Sequence, residues 1–287
     1  MSKKPMTIQQ FFKKYPSDDV CLDHIMRTRY GDRFECPKCQ KDAHYYRVRG
    51  RRCYECEHCG HQVYPTAGTP FEKTRTSLHL WFYAMYLFCA SRNGVSAKEL
   101  ERQLGVTYKT AWRMGHEIRK YMGWVDGDGP LGGDGIVEAD KAFIGGKDKM
   151  GHDDKTIVLG MVERGGEVLT RVVADRRTTT VIPVIKEFVR PGTRVATDTG
   201  RSFIDLRHEG YRHGTVNHSA GEYVSGPVHT NNIEAFWALL KCGISGTHIW
   251  VSQKHLDKYL GEFEYRYNLR KTPHLMFDLL LMAFPRP

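Results

Sequence analysis

Two Cys-x-x-Cys pairs, Cys36-Pro-Lys-Cys39 and Cys56-Glu-His-Cys59, stand 16 residues apart in a chain of 287. Each short knuckle can offer two thiolates to one tetrahedral ion, and the residues between must turn back as a hairpin for the pairs to meet. Residues 34–65 are rich in Cys, Arg and Tyr and show little long periodicity, as expected of a small module held by metal. Four thiolates leave no open position for water, so the ion, one Zn²⁺, is expected to be structural. Cys53 forms a further Cys-x-x-Cys spacing with Cys56, and His44, His58 and His61 are alternative ligands. Because the four knuckle cysteines already complete a set, an ordinary small Cys53 and surface histidines are the simpler expectation. Cys21, Cys89 and Cys242 fall in helical stretches and are expected to be small buried residues.

The formal net charge is +10, which fits either a basic solvated surface or a nucleic-acid partner. The start lacks the apolar core of a signal peptide, and the longest apolar run, Leu80 to Ala90, is too short to cross a bilayer. A cytoplasmic, non-membrane protein, on the nucleoid when bound to DNA, is therefore the expectation. Arg47, Arg49, Arg51 and Arg52 crowd the hairpin between the knuckles, as a solvated face or as one that contacts phosphates.

Five regions follow from the pattern: a helical lead-in over 1–30, the metal module over 31–70, a helical region over 71–122, a glycine-rich linker over 123–135 and a second domain over 136–287. Within the helical region, Gly94 to Met114 reads as helix, tight turn, helix. Ser96 and Glu99 fit a capping box, Gly105 suits a left-handed turn position, and Thr107 can cap the second helix. Ala111 and Trp112 are expected to pack inward. Tyr108, Lys109 and Arg113 then lie near the exposed start of the second helix, where a helix-turn-helix contacts DNA; the competing reading is a plain helical hairpin.

Beyond the linker, strands are expected at Gly135–Ile144, Thr156–Glu163 and Glu167–Ala174, a helix at Thr178–Val189, strands at Arg194–Asp198 and Gly214–His218, and a helix at Asn232–Cys242. That order is the order of an RNase H-like α/β domain with a mixed five-stranded sheet. It puts Asp140 and Asp198 on neighbouring strands and Glu234 in the first turn of the later helix, opened by Asn231 or Asn232 as a cap. Three carboxylates so placed can hold two Mg²⁺ (or Mn²⁺) ions against a phosphodiester. Lys241, about two turns beyond Glu234, could meet a phosphate. Glu138 shares the face of Asp140 and could support the site.

These motifs resemble bacterial insertion-sequence transposases with an N-terminal zinc ribbon and a D,D,E catalytic domain, relatives of the eukaryotic Merlin group. The resemblance rests on Cys36-Pro-x-Cys39, Tyr54-x-Cys56-x-x-Cys59, Gly68-Thr-Pro-Phe71, Val137-Glu-Ala-Asp140 with Ile144-Gly-Gly-Lys147, and Thr197-Asp198. It rests further on His229-Thr-Asn-Asn-Ile-Glu234-x-Phe-Trp-x-Leu-Leu-Lys241 and on the tail Glu264-Tyr-Arg-Tyr-Asn-Leu-Arg270. The resemblance implies Asp140, Asp198 and Glu234 as catalytic metal ligands and recognition of terminal inverted repeats by the N-terminal half. It also implies joining of 3′ ends to target DNA, by a homodimer or higher oligomer. Where the family usually has an acidic residue, a small hydroxyl residue and Tyr after the first Asp, this chain has Lys141, Ala142 and Phe143, and a Tyr after the second Asp is Phe203. Lys141 would compensate charge beside the metal site. A non-catalytic DNA-binding regulator and a metal-dependent DNA nuclease are the alternative readings.

Overall fold

The computed structural model describes residues 4–125, 129–145, 155–222 and 224–285. Residues 126–128 of the linker, and Gly146 and Lys147 of the Ile144-Gly-Gly-Lys147 motif, lie outside them. The chain forms two compact units: Met1–Ser91 with Ala97–Tyr121 and Thr272–Pro287, and Arg92–Ser96 with Met122–Lys271. The C-terminal residues expected in the second domain thus end in the first unit. The reason is aromatic burial: Phe277 packs on Phe11 and Tyr15, and Phe284 packs on Phe71 and Trp81.

In the first unit, α1 (Ile8–Lys14) and α2 (Asp18–Tyr30) lead into a four-stranded antiparallel sheet of β1 (Arg33–Glu35), β2 (Asp42–Arg47), β3 (Tyr54–Cys56) and β4 (Gln62–Val63). A capping box between Thr7 and Gln10 starts α1, and the Ser17 and Ser77 side chains cap α2 and α3 (Leu78–Ala90). Two further helices, α4 (Ala97–Leu104) and α5 (Tyr108–Val125), occupy the expected stretch. Gly105 sits between them at φ +64°, and the Thr107 hydroxyl accepts from the Thr110 amide at 3.3 Å, so the turn forms as its residues dictate. Ala111 is buried as expected. Trp112 is not: it is 38% exposed and stacks on His116. The last helix of the chain, α9 (Met276–Ala283), completes this unit.

The second unit is built on a mixed sheet of five strands in the order β7-β6-β5-β8-β9. These are β5 (Ile136–Ile144), β6 (Thr156–Glu163), β7 (Val168–Val173), β8 (Arg194–Asp198) and β9 (Arg212–Val216). The first three form an antiparallel meander, while β8 runs parallel to β5 and β9 parallel to β8. The fifth strand starts two residues earlier than its sequence pattern indicates. One face carries α6 (Thr178–Phe188) over Val137, Ala139, Leu159, Met161 and Val195. The other carries α7 (Asn231–Gly243) and α8 (Gln253–Asn268) over Ala142, Ile144, Val158 and Val162. Burial on both faces explains why β6 is almost wholly apolar rather than alternating. No helix among the described residues is long and apolar enough to cross a membrane.

Candidate active site

Asp140 lies in β5, and β8 runs beside it in parallel register, Glu138 opposite Ala196. Two residues further along each strand come Asp140 and Asp198. Both line one cleft of about 650 Å³, rimmed by Lys141, Arg176, Arg177 and Arg201. Each carboxylate is held by a neighbour. Asp198 Oδ1 accepts from the Gly200 amide at 3.0 Å, and a Cβ on Gly200 would lie 2.8 Å from that same oxygen. Asp140 Oδ2 accepts from the Trp237 indole N–H at 3.1 Å. The indole reaches it because Gly160, the residue paired with Asp140 across the β5–β6 ladder, has no side chain; a Cβ there would collide with the Trp237 ring.

Burial, with the Asp198 charge adding to it, raises the Asp140 pKa above the ordinary carboxylate value. Two neighbouring carboxylates are a donor set whose negative charge a divalent cation would relieve. Lys141 partly does so: its pKa is lowered by burial, against the opposing pull of Asp198 and Asp140. Its Nζ sits 3.7 Å over the Phe203 ring and makes no hydrogen bond among the described residues. Two of the departures from the family pattern, Lys141 and Phe203, are therefore in contact with each other.

Glu234 does not line this cleft. It stands in the first turn of α7, one turn before Trp237, so the same helix carries both. Its Oε1 accepts from the Thr230 hydroxyl at 2.6 Å, and His218 Nε2 lies 3.5 Å away. Neither Asn231 nor Asn232 caps the helix: the N-cap position is Thr230, which makes no side-chain cap bond. The cap comes from Glu138 on β5. This fully buried carboxylate accepts from the Asn232 and Ile233 amides at 2.8 and 3.2 Å and from the Asn232 side chain at 2.8 Å. Arg164 at 2.7 Å and His229 at 3.1 Å flank it. A carboxylate at a helix N-terminus satisfies amides that have no intrahelical partner and complements the helix dipole. Glu138 therefore fixes where α7 begins, and with it Glu234 and Trp237. Lys241 is exposed and lines a different cleft.

Trp237, Gly160 and Arg164 escaped sequence reasoning as contributors to the site. The signal for the first was present, since Glu234 and Trp237 share an i, i+3 face; the other two are legible only once strand register is known.

In the first unit, the Sγ atoms of Cys36, Cys39, Cys56 and Cys59 lie within 4.8 Å of one another. Cys36 and Cys59 are 3.7 Å apart, and Cys39 and Cys56 3.9 Å. A tetrahedron with metal–sulfur bonds of about 2.3 Å has edges of about 3.8 Å, so four thiolates here fit a structural zinc. Gln40 and Gly60, each four residues past the first cysteine of its knuckle, take matching positive φ values of 55° and 64°. Cys53 stays outside, its thiol 3.7 Å from Gln62 Oε1, and none of the three histidines joins. Among the described residues no other group of three or more Cys, His, Asp or Glu is gathered this closely, the three carboxylates included.

Arg47 and Arg52 are engaged within the unit, with Asp19 at 2.9 Å and with Asp18 at 3.3 Å and the Thr74 carbonyl at 3.2 Å. Arg49 and Arg51 are exposed. Tyr108, Lys109, Trp112 and Arg113 form one exposed face on α5, with Lys98 over the Tyr108 ring. Of the three helical cysteines, Cys21 is buried, Cys89 is half-buried and Cys242 is exposed, against expectation, because it follows Lys241 on the solvent side of α7.

Comparison with known proteins gives consistent matches. A model of the ISXO2-like transposase domain matches residues 131–268, and one of the transposase zinc-ribbon domain matches residues 16–62. A Halobacterium salinarum protein, described as an uncharacterized protein in transposable element ISH50, is 26% identical over 284 residues, covering 91% of this chain and 94% of that one. An uncharacterized transposase-like protein of Haemophilus influenzae is 32% identical over 102 residues, 36% of this chain and 81% of that one.

Proposed function

The chain belongs to the insertion-sequence transposases that join an N-terminal zinc ribbon to an ISXO2-like domain, and from that membership we propose that it cuts DNA at its element's ends and joins the freed 3′ ends to target DNA. In this reading the second unit is an RNase H-like catalytic domain whose metal ligands are Asp140, Asp198 and Glu234. The observation that carries it is the cleft in which Asp140 and Asp198 meet inside a rim of Lys141, Arg176, Arg177 and Arg201. Carboxylates alone would repel a phosphodiester; carboxylates within a cationic rim suit a divalent ion and a DNA backbone together.

Mg²⁺ or Mn²⁺, held as a pair, would activate a water or a 3′-hydroxyl and stabilise the leaving oxygen. The protein's own groups set the geometry. The Trp237 N–H and the Gly200 amide orient the two aspartates. Glu138 anchors α7, and the rim arginines with Lys241 meet phosphates. Glu234, bonded here to Thr230, would give up that bond and join the two aspartates when metal and DNA bind.

DNA is held by the first unit. There α4 and α5 act as a helix-turn-helix whose Tyr108, Lys109, Trp112 and Arg113 face the terminal inverted repeats, and Arg49 and Arg51 of the ribbon contact phosphates. A dimer or larger assembly brings the two ends together.

Asp198→Asn tests the reading. The amide keeps the oxygen that accepts from Gly200 and loses the charge. Cleavage of duplexes carrying the element's ends, in Mg²⁺, is expected to disappear while gel-shift binding stays at the wild-type level. Wild-type cleavage by the variant would refute the assignment. A strand-transfer assay on the wild type separates a transposase from a nuclease that only cuts.

A further inference from the structure

Phe143 borders two clefts of different chemistry. Three residues beyond Asp140 on β5, it lines the carboxylate cleft, where Arg176 lies 5.6 Å from its ring. It also lines a second cleft of about 390 Å³, walled by Ile244, Ile249, Trp250 and Val251. Among the described residues that line this cleft, Lys241 is the one charged group. The rim is unusually apolar for a surface: Phe143 is 41% exposed, Trp250 61% and Ile249 86%. Contiguous exposed apolar side chains mark binding sites far more often than scattered ones do.

The backbone holds them outward. Past Gly243 the helix widens into a π-type turn, Ile244–His248. The Trp250 amide then donates to the His248 carbonyl at 2.7 Å, closing a γ-turn centred on Ile249 at φ 64° and ψ −52°. A β-branched residue in that conformation is strained, and such strain collects at functional sites. Without the turn, Ile249 and Trp250 could fold onto the apolar face that Val251 joins.

We propose that this second cleft receives one unstacked base of the strand being cut, from the nucleotide beside the scissile phosphate. The base stacks on Trp250, with Phe143 and Ile249 at its sides and Lys241 on a flanking phosphate. The inference rests on the DNA-cutting role of the adjacent cleft. An apolar, aromatic cavity offers nothing to a sugar-phosphate backbone, whereas every base has a face that stacks on an indole. The cleft's volume suits a small planar group, and Lys241 on its lining matches the charge of the phosphate that accompanies a base.

The test uses the full chain and duplexes carrying the element's terminal repeat with its flank. In one set, 2-aminopurine replaces each base near the cut in turn. In a second set, the base adjoining the cut is mismatched and so already unpaired. With wild type, 2-aminopurine emission is expected to rise at one position next to the cut. Trp250→Ala should cut the matched duplex about 5- to 150-fold more slowly, the range that base–aromatic stacking is worth. The mismatched duplex should recover much of that loss, and Trp250→Phe should stay near wild type.

Equal cutting of the matched duplex by wild type and Trp250→Ala overturns the proposal. So does a slowing that the mismatch does not relieve, or an emission that changes nowhere while wild type cuts. A loss of self-association in Trp250→Ala, with both duplexes cut equally, would assign the patch to a second copy of the chain. Failure of wild type to cut either duplex in Mg²⁺ or Mn²⁺ is a different result: it removes the DNA-cutting reading itself, and this inference with it.

Discussion

At the scale of single residues, the site depends on side chains that are absent as much as on those present. Asp140 is met by Trp237 because position 160 is glycine, and Asp198 is met by its own loop because position 200 is glycine. At Gly160 the nearest neighbour is the Trp237 indole wedged between sheet and helix, which cannot swing away as a flexible chain end would, and Ile233 Cδ1 would lie 2.8 Å from the added carbon. Gly160→Ala is therefore expected to cost about 1–3 kcal/mol, the usual range for overpacking. It should also pull the indole N–H off Asp140. Urea unfolding gives the first effect and cleavage rate at saturating DNA the second; wild-type values in both would mean that the indole does not depend on the gap.

Among elements, the decisive contact is between a strand and a helix start. Local sequence offers two asparagines as caps for α7, yet Glu138 supplies the cap from β5 and also neutralises Arg164. Glu138→Ala would leave the half-buried Arg164 without its carboxylate, though still on the Pro227 and His229 carbonyls, and two helix amides without their acceptor. A loss of about 3–5 kcal/mol is expected in urea unfolding, as for one partner removed from a buried ion pair. Glu138→Gln, which keeps an acceptor, should lose less; equal stability of the Ala variant and wild type would refute the clamp. The family-like tail serves an element too. On α8, Glu264 accepts from the Thr170 amide at 2.5 Å and Asn268 from the Val168 amide at 2.7 Å. Helix spacing of four residues, about 6 Å, nearly matches strand spacing of two, about 6.7 Å, so α8 covers the outer edge of β7 as a further strand would.

For the molecule as a whole, two compact units imply two separable sources of stability. Only the first holds a four-thiolate cluster among the described residues. Metal binding at such a cluster is folding free energy. Stripping zinc with a chelator, or Cys39→Ser, is expected to lower or abolish the calorimetric transition of the first unit. The transition of the second should remain within a few degrees of its original temperature. A single transition moving as one would show that the units unfold together. End-DNA binding should fall with the first transition, since the proposed recognition surface lies in that unit.

Most elements were legible in the chain because their signals are local. The knuckles, the turn at Gly105 with its Thr107 cap, the apolar strands and the helices were all read from spacing and period, and the structure places them within a few residues. Spacing also marked the four thiols that cluster as a zinc site would require, since a Cys-x-x-Cys turn is a short-range object. What only the tertiary structure decided are relations between distant residues. Glu138 replaced the local cap of α7, and Trp112 turned outward. Arg47 and Arg52 were taken up within their own unit, and the end of the chain packed with its beginning. For the cap, the two arginines and the chain end the physical reason is the same. Local propensities are worth tenths of a kcal/mol to about one, while leaving a buried charge unpaired or an aromatic ring exposed costs several, so the stronger interaction chooses the partner. The carboxylates proposed as metal ligands stand plainly in the sequence; the contacts of the glycines, the indole and the buried glutamate around them are decided by the fold.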